Sequence, residues 1–407
     1  LKINNMQYPI ALKTEKLEEN RDFYRITFAD FIVRSAYQMG KAPLLPIFAA
    51  NLGATDLLLG FIVSVSTITG MISKPLIGLL SDRWGRKLWL LVGTGFFTFI
   101  PFAYFLVQTP EQLVIIRIIH GSATAIYGPV TVAWISENAP QRRAEKLGWF
   151  GIARSGGYIV GPTLAGAMLL TLEPAIIYSI IGLISSLAFI PITLMGDRYT
   201  FIARKQGKSL LQQIRQALSE GGKSVAVWIA GGIEAVSYIA LYALKAFLPV
   251  YALAHGYNAL EVGVFFTIQE IFHVISKPFA GRLSDRFGYH RGIIWGIVAM
   301  GIILPLVGLF NIWLINLIFA ALLGIIQAII FPATIALVAE QIKLTNLGAS
   351  LGIIGTFQNL GKVIGPIIGG ILLVNLEFQM TFLILSFFLF ITALLLSINN
   401  KNRRISN

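Results

Sequence analysis

Gly78-Leu79-Leu80-Ser81-Asp82-Arg83-Trp84-Gly85-Arg86-Lys87 decides how this chain is read, because the stretch occurs twice. Adding 203 to each number gives Gly281-Arg282-Leu283-Ser284-Asp285-Arg286-Phe287-Gly288-Tyr289-His290, which keeps the first Gly, Leu-Ser-Asp-Arg and the second Gly in place. Ile72-Ser73-Lys74-Pro75 precedes one copy and Ile275-Ser276-Lys277-Pro278 the other. Each copy lies between two long apolar runs, so it reads as a tight polar turn between membrane helices. Glycines at such a turn let two helix ends approach closely, and the neighbouring Asp and Arg can neutralise one another and cap the ends.

The apolar runs follow from composition. With 407 residues, 56% of them hydrophobic, only 13% charged and a mean hydropathy of +0.75, the chain is too apolar for a wetted surface and reads as a polytopic membrane protein. Twelve runs are each long enough to cross roughly 30 Å of hydrocarbon as a helix: 24–50, 57–80, 88–107, 113–136, 145–171, 174–195, 225–254, 259–281, 291–310, 313–339, 347–374 and 378–398. Barrel strands would be shorter and would alternate. The fold class expected is therefore an all-α membrane protein of twelve transmembrane helices in two six-helix bundles. Residues 1–23 form a polar lead-in with no cleavable signal peptide, 24–195 the first bundle, 196–224 a basic linker, 225–398 the second bundle and 399–407 a tail. Within the linker, Leu211, Ile214 and Leu218 recur at helical spacing, which fits either a short helix on the membrane surface or a plain tether.

The net charge of +13 is a matter of topology. Connections on one side hold Asp56, Glu111, Glu173, Glu261 and Glu377 without Lys or Arg; those on the other hold Arg83, Arg86, Lys87, Arg142, Arg143, Lys146, Arg282, Arg286, Arg291 and Lys343. The positive-inside rule makes both termini cytoplasmic, with the basic side against anionic lipid; a plasma (inner) membrane is the expected location. Nucleic acid is excluded as a partner. The absence of cysteine excludes disulfides and thiolate chemistry. No Walker loop, no HExxH and no nucleophile beside a base is present, so no enzyme activity, cofactor or metal is expected.

The repeat extends beyond the turn. At an offset of 203, Gly53, Gly60, Gly121, Pro129 and Glu137 meet Gly256, Gly263, Gly324, Pro332 and Glu340; at 204, Gly148, Gly157, Gly161, Pro162 and Gly166 meet Gly352, Gly361, Gly365, Pro366 and Gly370. Small residues four apart make a smooth helix face for close packing, and the proline bends the helix.

The duplicated turn resembles the loop signature of the major facilitator superfamily of secondary transporters, and the likeness covers nearly the whole chain. The run from Gly148 to Gly166 resembles the fifth-helix motif of its drug/proton antiporter branch. A second copy, through Gly361, Gly365, Pro366 and Gly370, departs from that pattern and fits packing of one half on the other. Arg117-Ile118-Ile119-His120-Gly121 resembles the superfamily's arginine motif, associated with proton coupling. The resemblance implies two pseudo-symmetric bundles around a central site that opens alternately to each side. It also implies that charge clusters at the turns, here Asp82, Arg86 and Glu137 with Asp285, Arg286 and Glu340, latch the halves in the outward-open state.

Site candidates come from charged residues inside the runs, since a charge at mid-helix costs about 2.5–3.5 kcal/mol on insertion scales and must face protein or water. Asp30, Arg34, Tyr37 and Lys41 share a stripe on the first helix; Glu234, Tyr238, Leu241 and Lys245 match them on the seventh at plus 204. Asp30 and Glu234 can carry a proton; Arg34, Lys41 and Lys245 can hold an anion or neutralise the acids. Arg117 on the fourth helix, Arg154 and Tyr158 on the fifth, Gln358 and Lys362 on the eleventh, and the Glu270–His273 pair on the eighth complete the set. The bland alternative is internal ion pairing that only locks helices together. The function expected is proton-coupled efflux of a small amphipathic substrate by a monomer. Symport or exchange of an organic anion is the first alternative, because Arg34, Lys41, Arg154, Lys245 and Lys362 outnumber Asp30, Glu234 and Glu270. A non-transporting membrane sensor is the second.

Overall fold

The computed structural model describes residues 7–138, 142–196, 212, 219, 222–342 and 344–405, and within these it is helical with no strand. In hydrocarbon a helix satisfies its own backbone polar groups, so the apolar runs have no other open structure available. Among the described residues twelve spans are formed. The first half comprises α1 (Gln7–Met39, continued after a turn by Leu44–Asn51), α2 (Asp56–Trp84), α3 (Arg86–Phe99, ending in the 3-10 segment Ile100–Leu106), α4 (Pro110–Asn138), α5 (Arg143–Met168) and α6 (Pro174–Ser186 with Phe189–Thr193). The second comprises α7 (Val225–Ala254), α8 (Ala259–Phe287), α9 (Tyr289–Ile303 with Leu304–Leu306), α10 (Trp313–Gln341), α11 (Leu344–Leu373) and α12 (Phe378–Ile405).

Ten of the described helices are long and apolar enough to cross a membrane by composition alone. The first and fifth fall outside that set because charged and small residues take the place of aliphatic ones, and these two helices carry much of the candidate site. Helix α1 begins at Gln7, well before residue 24, so part of the polar lead-in continues the helix, and α12 runs on to Ile405. The surface helix considered for Leu211, Ile214 and Leu218 lies outside the described residues.

Both copies of the turn are built alike. Gly85 has φ +91° and Gly288 φ +88°, a region open to glycine and strained for other residues. Each glycine N–H donates to the serine four residues back, Gly85 to Ser81 O at 3.1 Å and Gly288 to Ser284 O at 2.8 Å. A single glycine therefore separates the end of one helix from the start of the next.

Within the first half α1 packs on α5 and α2 on α4; within the second α7 packs on α11 and α8 on α10. The halves join through two related crossings, α5 on α8 and α2 on α11. At the crossings a Cβ on Gly263 would strike the Pro162 carbonyl, one on Gly60 the Pro366 carbonyl, one on Gly166 Ala259, and one on Gly370 Asp56. The proline carbonyls and bare glycine faces thus bring the backbones of opposite halves into contact. Thr163 Oγ1 donates to Thr267 Oγ1 at 2.7 Å and Ser64 Oγ to Val363 O at 2.7 Å along the same seams. These contacts occupy the side bearing the acidic connections. Toward the basic side Gly148, Gly151, Gly352, Gly355, Gly78 and Gly281 have nothing within 4 Å of where a Cβ would stand. The molecule is closed on the acidic-loop side and splayed on the basic side.

The smooth-face motif accordingly has two jobs. Gly157 and Gly161 pack on α1 at Ser35 and Gln38, and Gly361 and Gly365 on α7 at Ala235 and Ile239, all within one half; only the last glycine of each run, Gly166 or Gly370, reaches across. Overpacking such contacts costs about 1–3 kcal/mol. Gly60→Val and Gly263→Val are expected to lower stability by that amount in detergent unfolding, whereas Gly148→Val and Gly352→Val stay within about 0.5 kcal/mol of the parent; equal loss at all four positions would contradict the splayed arrangement.

Candidate functional site

Two buried carboxylates face the interior at equivalent places in the halves. Asp30 on α1 is 1% exposed and Glu234 on α7 is 0% exposed. Arg154 on α5 grips Asp30 with two hydrogen bonds, Nε to Oδ2 at 3.1 Å and Nη2 to Oδ1 at 3.0 Å, and also donates from Nη2 to Thr131 Oγ1 at 3.3 Å. Arg34 Nε stands 3.7 Å from Asp30 Oδ2. In the second half Gln358 Nε2 donates to Glu234 Oε2 at 3.0 Å and Thr334 Oγ1 lies 2.6 Å from Glu234 Oε1. Asp30 with Glu234 and Arg154 with Gln358 differ by 204, Thr131 with Thr334 by 203. One geometry is therefore made twice, with an arginine in the first half and a neutral amide in the second.

The threonines differ in what their single proton does. Thr131 Oγ1 donates to Tyr127 O at 2.6 Å and so turns a lone pair to Arg154. Thr334 Oγ1 is 2.8 Å from Phe331 O and 2.6 Å from Glu234 Oε1, and one hydroxyl proton cannot serve both. When Glu234 is ionised Thr334 donates to it; when Glu234 is protonated its O–H donates to Thr334, which then donates to the Phe331 carbonyl. Both protonation states are accommodated by rotating one hydroxyl.

A cavity of about 720 Å³ of empty space lies between the halves, partly open to solvent. Its polar lining includes Gln38, Lys41, Arg117, Tyr158, Lys245 and Glu270. Lys41 does not extend the α1 stripe helically, as expected from the sequence: it sits in the turn between Met39 and Leu44. Its Nζ lies 4.6 Å over the Tyr37 ring, and Lys245 Nζ lies 5.3 Å from the Tyr242 ring centroid, arrangements in which an aromatic face stabilises a desolvated cation. Arg117, 1% exposed, donates from Nη2 to Ser66 Oγ at 2.5 Å. His120 Nδ1 pairs with the Tyr104 hydroxyl at 3.1 Å beneath it.

The candidates thus separate into two groups. Lys41, Arg117, Tyr158, Lys245 and Glu270 line the cavity. Asp30, Arg34 and Arg154 form one carboxylate cluster and Glu234 with Gln358 the other. Lys362 stands between the groups, its Nζ 4.5 Å over Tyr238 and 5.8 Å from Tyr242. Tyr37 packs edge-on against Phe97 and His120, and Tyr238 stacks on Phe331, so these two support the walls. His273 Nδ1 meets Glu270 Oε1 at 3.3 Å. Sequence reasoning missed Thr131, Thr334, Gln38, Ser66 and Tyr242; the repeat offset marked both threonines, each two residues beyond the matched Pro129 or Pro332.

At the basic side Arg86 holds Glu137, Nη2 to Oε1 at 2.6 Å and Nε to Oε2 at 3.3 Å, and donates to Ser81 Oγ. The pair lies within the first half and does not bridge the halves. The Asp82 side chain falls outside the described residues. In the second half Tyr289 replaces Arg86 at the matching position and donates to Asp285 Oδ1 at 2.9 Å, while Arg286 lies 5.6 Å from the Phe287 ring. The counterpart expected from Asp285, Arg286 and Glu340 is therefore built differently, around a tyrosine.

The family model for the Major Facilitator Superfamily matches residues 27–266 and again 230–406. This chain belongs to that superfamily. It is a transporter of that type and not an enzyme. Relatives within the superfamily include an uncharacterized MFS-type transporter of Methanocaldococcus jannaschii, 26% identical over 81% of this chain and 86% of that protein. Another is the quinolone resistance protein NorA of Staphylococcus aureus, 26% identical over 81% and 84%. The solved nucleoside transporter NupG has the same superfamily fold, with a TM-score of 0.75 at 13% identity over 93% of this chain and 98% of that one.

The unequal clusters give a stability test. Breaking a buried ion pair by removing one partner costs about 3–5 kcal/mol. Arg154→Gln should lose that much in detergent unfolding, and the double variant Asp30→Glu, Arg154→Gln, which copies the second half's chemistry, should recover most of it. No loss in the single variant would show that Asp30 does not depend on Arg154.

Proposed function

We propose that this major facilitator protein is a proton-coupled exporter of an amphipathic small molecule, working as a monomer by alternating access, with Glu234 as the proton carrier. The observation that carries the reading is the contrast between the two clusters. A buried carboxylate held by a guanidinium is compensated and has little reason to take up a proton; a buried carboxylate facing only neutral donors leaves its charge uncompensated. Asp30 is of the first kind; Glu234 approaches the second, hydrogen-bonded by Gln358 and Thr334, with Lys362 acting on it only at longer range and without an ion pair among the described residues. Asp30, the first candidate for the proton on the sequence with Glu234 as a partner acid, becomes in this reading the structural member of the pair.

The basic side is taken as cytoplasmic, so the splayed state faces the cytoplasm. Substrate enters there while Glu234 gives up its proton. The vacant glycine faces of α5 and α11, at Gly148, Gly151, Gly352 and Gly355, are where the cytoplasmic halves of α8 and α2 can close. Closure on that side and opening of the Gly60 and Gly263 seams expose the cavity outward, where a proton returns to Glu234 and substrate leaves. The cavity is complete within one chain, which supports a monomeric unit. The likeness to the quinolone resistance protein NorA and to multidrug resistance protein 1 of Bacillus subtilis (24% identical over 81% of this chain and 84% of that protein) supports export of amphipathic compounds.

Proteoliposomes with an imposed proton gradient test the reading with ethidium, a quinolone and 1-naphthoate as probes. The parent should accumulate at least one probe against its gradient. Glu234→Gln, which keeps the contact to Thr334 without the titrating proton, should abolish uphill movement while leaving downhill exchange. Uphill movement that survives in Glu234→Gln would remove Glu234 from the coupling.

A further inference from the structure

The charge of the substrate can be read from the cavity, an inference that rests on the transporter reading above. Three cationic side chains line the cavity, Lys41, Arg117 and Lys245, against one acid, Glu270. Glu270 is itself engaged by His273 at 3.3 Å. The other interior cations are committed elsewhere: Arg154 and Arg34 to Asp30, and Lys362 to the faces of Tyr238 and Tyr242. The surplus in the cavity is positive: Glu270 acts electrostatically on Lys245, while Lys41 and Arg117 form no ion pair among the described residues.

Arg117 makes the point sharply. A guanidinium carries five N–H donors in a planar fork and stays charged at any pH met in a cell. Here Nη2 is used by Ser66, while the buried Nε and Nη1 find no acceptor of hydrogen-bonding geometry among the described residues. The edge that takes a carboxylate or phosphate with two parallel bonds is Nε with Nη2, as at Arg154 and Arg86; at Arg117 an anion on that edge would share Nη2 with Ser66 and take up the unpaired Nε. The second half has Ala320, fully buried, where the first has Arg117. A helix-locking arginine would carry its partner with it; this one occupies an interior wall, breaks the repeat and lacks a carboxylate. Lys41 and Lys245, related by 204, flank it across the pseudo-dyad, and their contacts are the ring faces of Tyr37 and Tyr242. Ring faces hold an ammonium in place and leave its N–H donors free for a ligand. Between them the cavity wall is apolar, with Leu45, Val63 and Phe266.

We infer that the cavity takes an organic anion: an amphiphile whose carboxylate, sulfonate or phosphate sits on Arg117 between Lys41 and Lys245, and whose apolar body lies against Leu45, Val63 and Phe266. The site differs from a simple excess of interior cations in the sequence, since it drops Arg34, Arg154 and Lys362 and centres on Arg117.

The test compares probes of one shape and opposite charge, 1-naphthoate, naphthalene-1-sulfonate and 1-naphthyl phosphate against 1-naphthylmethylammonium, by calorimetry on the full chain in detergent with no gradient. At least one anion is expected to bind about ten-fold or more tighter than the ammonium, and more weakly as salt is raised. Arg117→Gln, Lys41→Gln and Lys245→Gln should each weaken that anion by about five-fold or more, with Arg117→Lys, which keeps charge and loses the fork, falling between parent and Arg117→Gln. Lys41 and Lys245 line the cavity and are only partly buried, so their variants carry the test even where Arg117→Gln fails to fold. Tighter binding of the ammonium, no saturable binding of any anion up to ~10 mM, or anion affinity unchanged in the lysine variants would overturn the inference. Because flux plays no part in it, a cation-selective cavity in a protein that still shows Glu234-dependent transport would defeat the anion assignment and leave the transporter reading intact.

Discussion

An ionised side chain inside hydrocarbon has no water to solvate it, and the rest of this structure depends on how that cost is met. The interior charges are met in four ways: by an opposite charge, as Arg154 gives Asp30; by neutral hydrogen-bond donors, as Gln358 and Thr334 give Glu234; by an aromatic face, as Tyr37, Tyr242 and Tyr238 give Lys41, Lys245 and Lys362; or by a place on the cavity lining, as for Glu270. On each helix the interior charges therefore lie on the face turned to the protein, while apolar side chains such as Phe387, Phe388, Leu394 and Leu395 of α12 are exposed on the outer face.

Duplication supplies the scaffold, and departures from duplication supply the chemistry. The two turns, the two proline-glycine crossings and the two carboxylate clusters obey one offset to within a residue. Against that background Arg154 and Gln358, Arg117 and Ala320, Arg86 and Tyr289 are unequal pairs. The first makes one carboxylate permanently compensated and leaves the other dependent on neutral donors. The second puts a guanidinium on one wall of a cavity that is otherwise nearly symmetric. Two identical halves would present two equal carboxylate clusters and a symmetric cavity wall; these substitutions remove that degeneracy.

The glycines connect this chemistry to motion. A bare backbone face packs closely on another and parts from it without unlocking interdigitated side chains. Occupied faces at Gly60, Gly166, Gly263 and Gly370 and vacant ones at Gly148, Gly151, Gly352 and Gly355 lie toward opposite ends of the same helices. The proposed rocking about the cavity would exchange one set for the other at little cost in buried side-chain contact, the condition for two states of similar free energy.

Much of this was legible in one dimension, because apolar run length, repeat offset and the distribution of Lys and Arg are properties of the chain itself. Those features determined the twelve spans, the two halves, the glycine turns at Gly85 and Gly288 and the pool of interior charges from which a site had to be drawn. They could not assign partners. Helical spacing placed Asp30 and Lys41 on one stripe, yet the chain turns at Gly40 and sends Lys41 into the cavity while Asp30 is claimed from 124 residues away by Arg154. Likewise the equivalence of Asp30 and Glu234 was visible in the offset, but which of them is neutralised was decided by α5 and α11 meeting α1 and α7. Spacing along a helix fixes direction to within one face; whether an ionised group finds a counter-charge, a ring or open space depends on a second helix, whose approach is set by glycine and proline contacts that only the folded bundle makes.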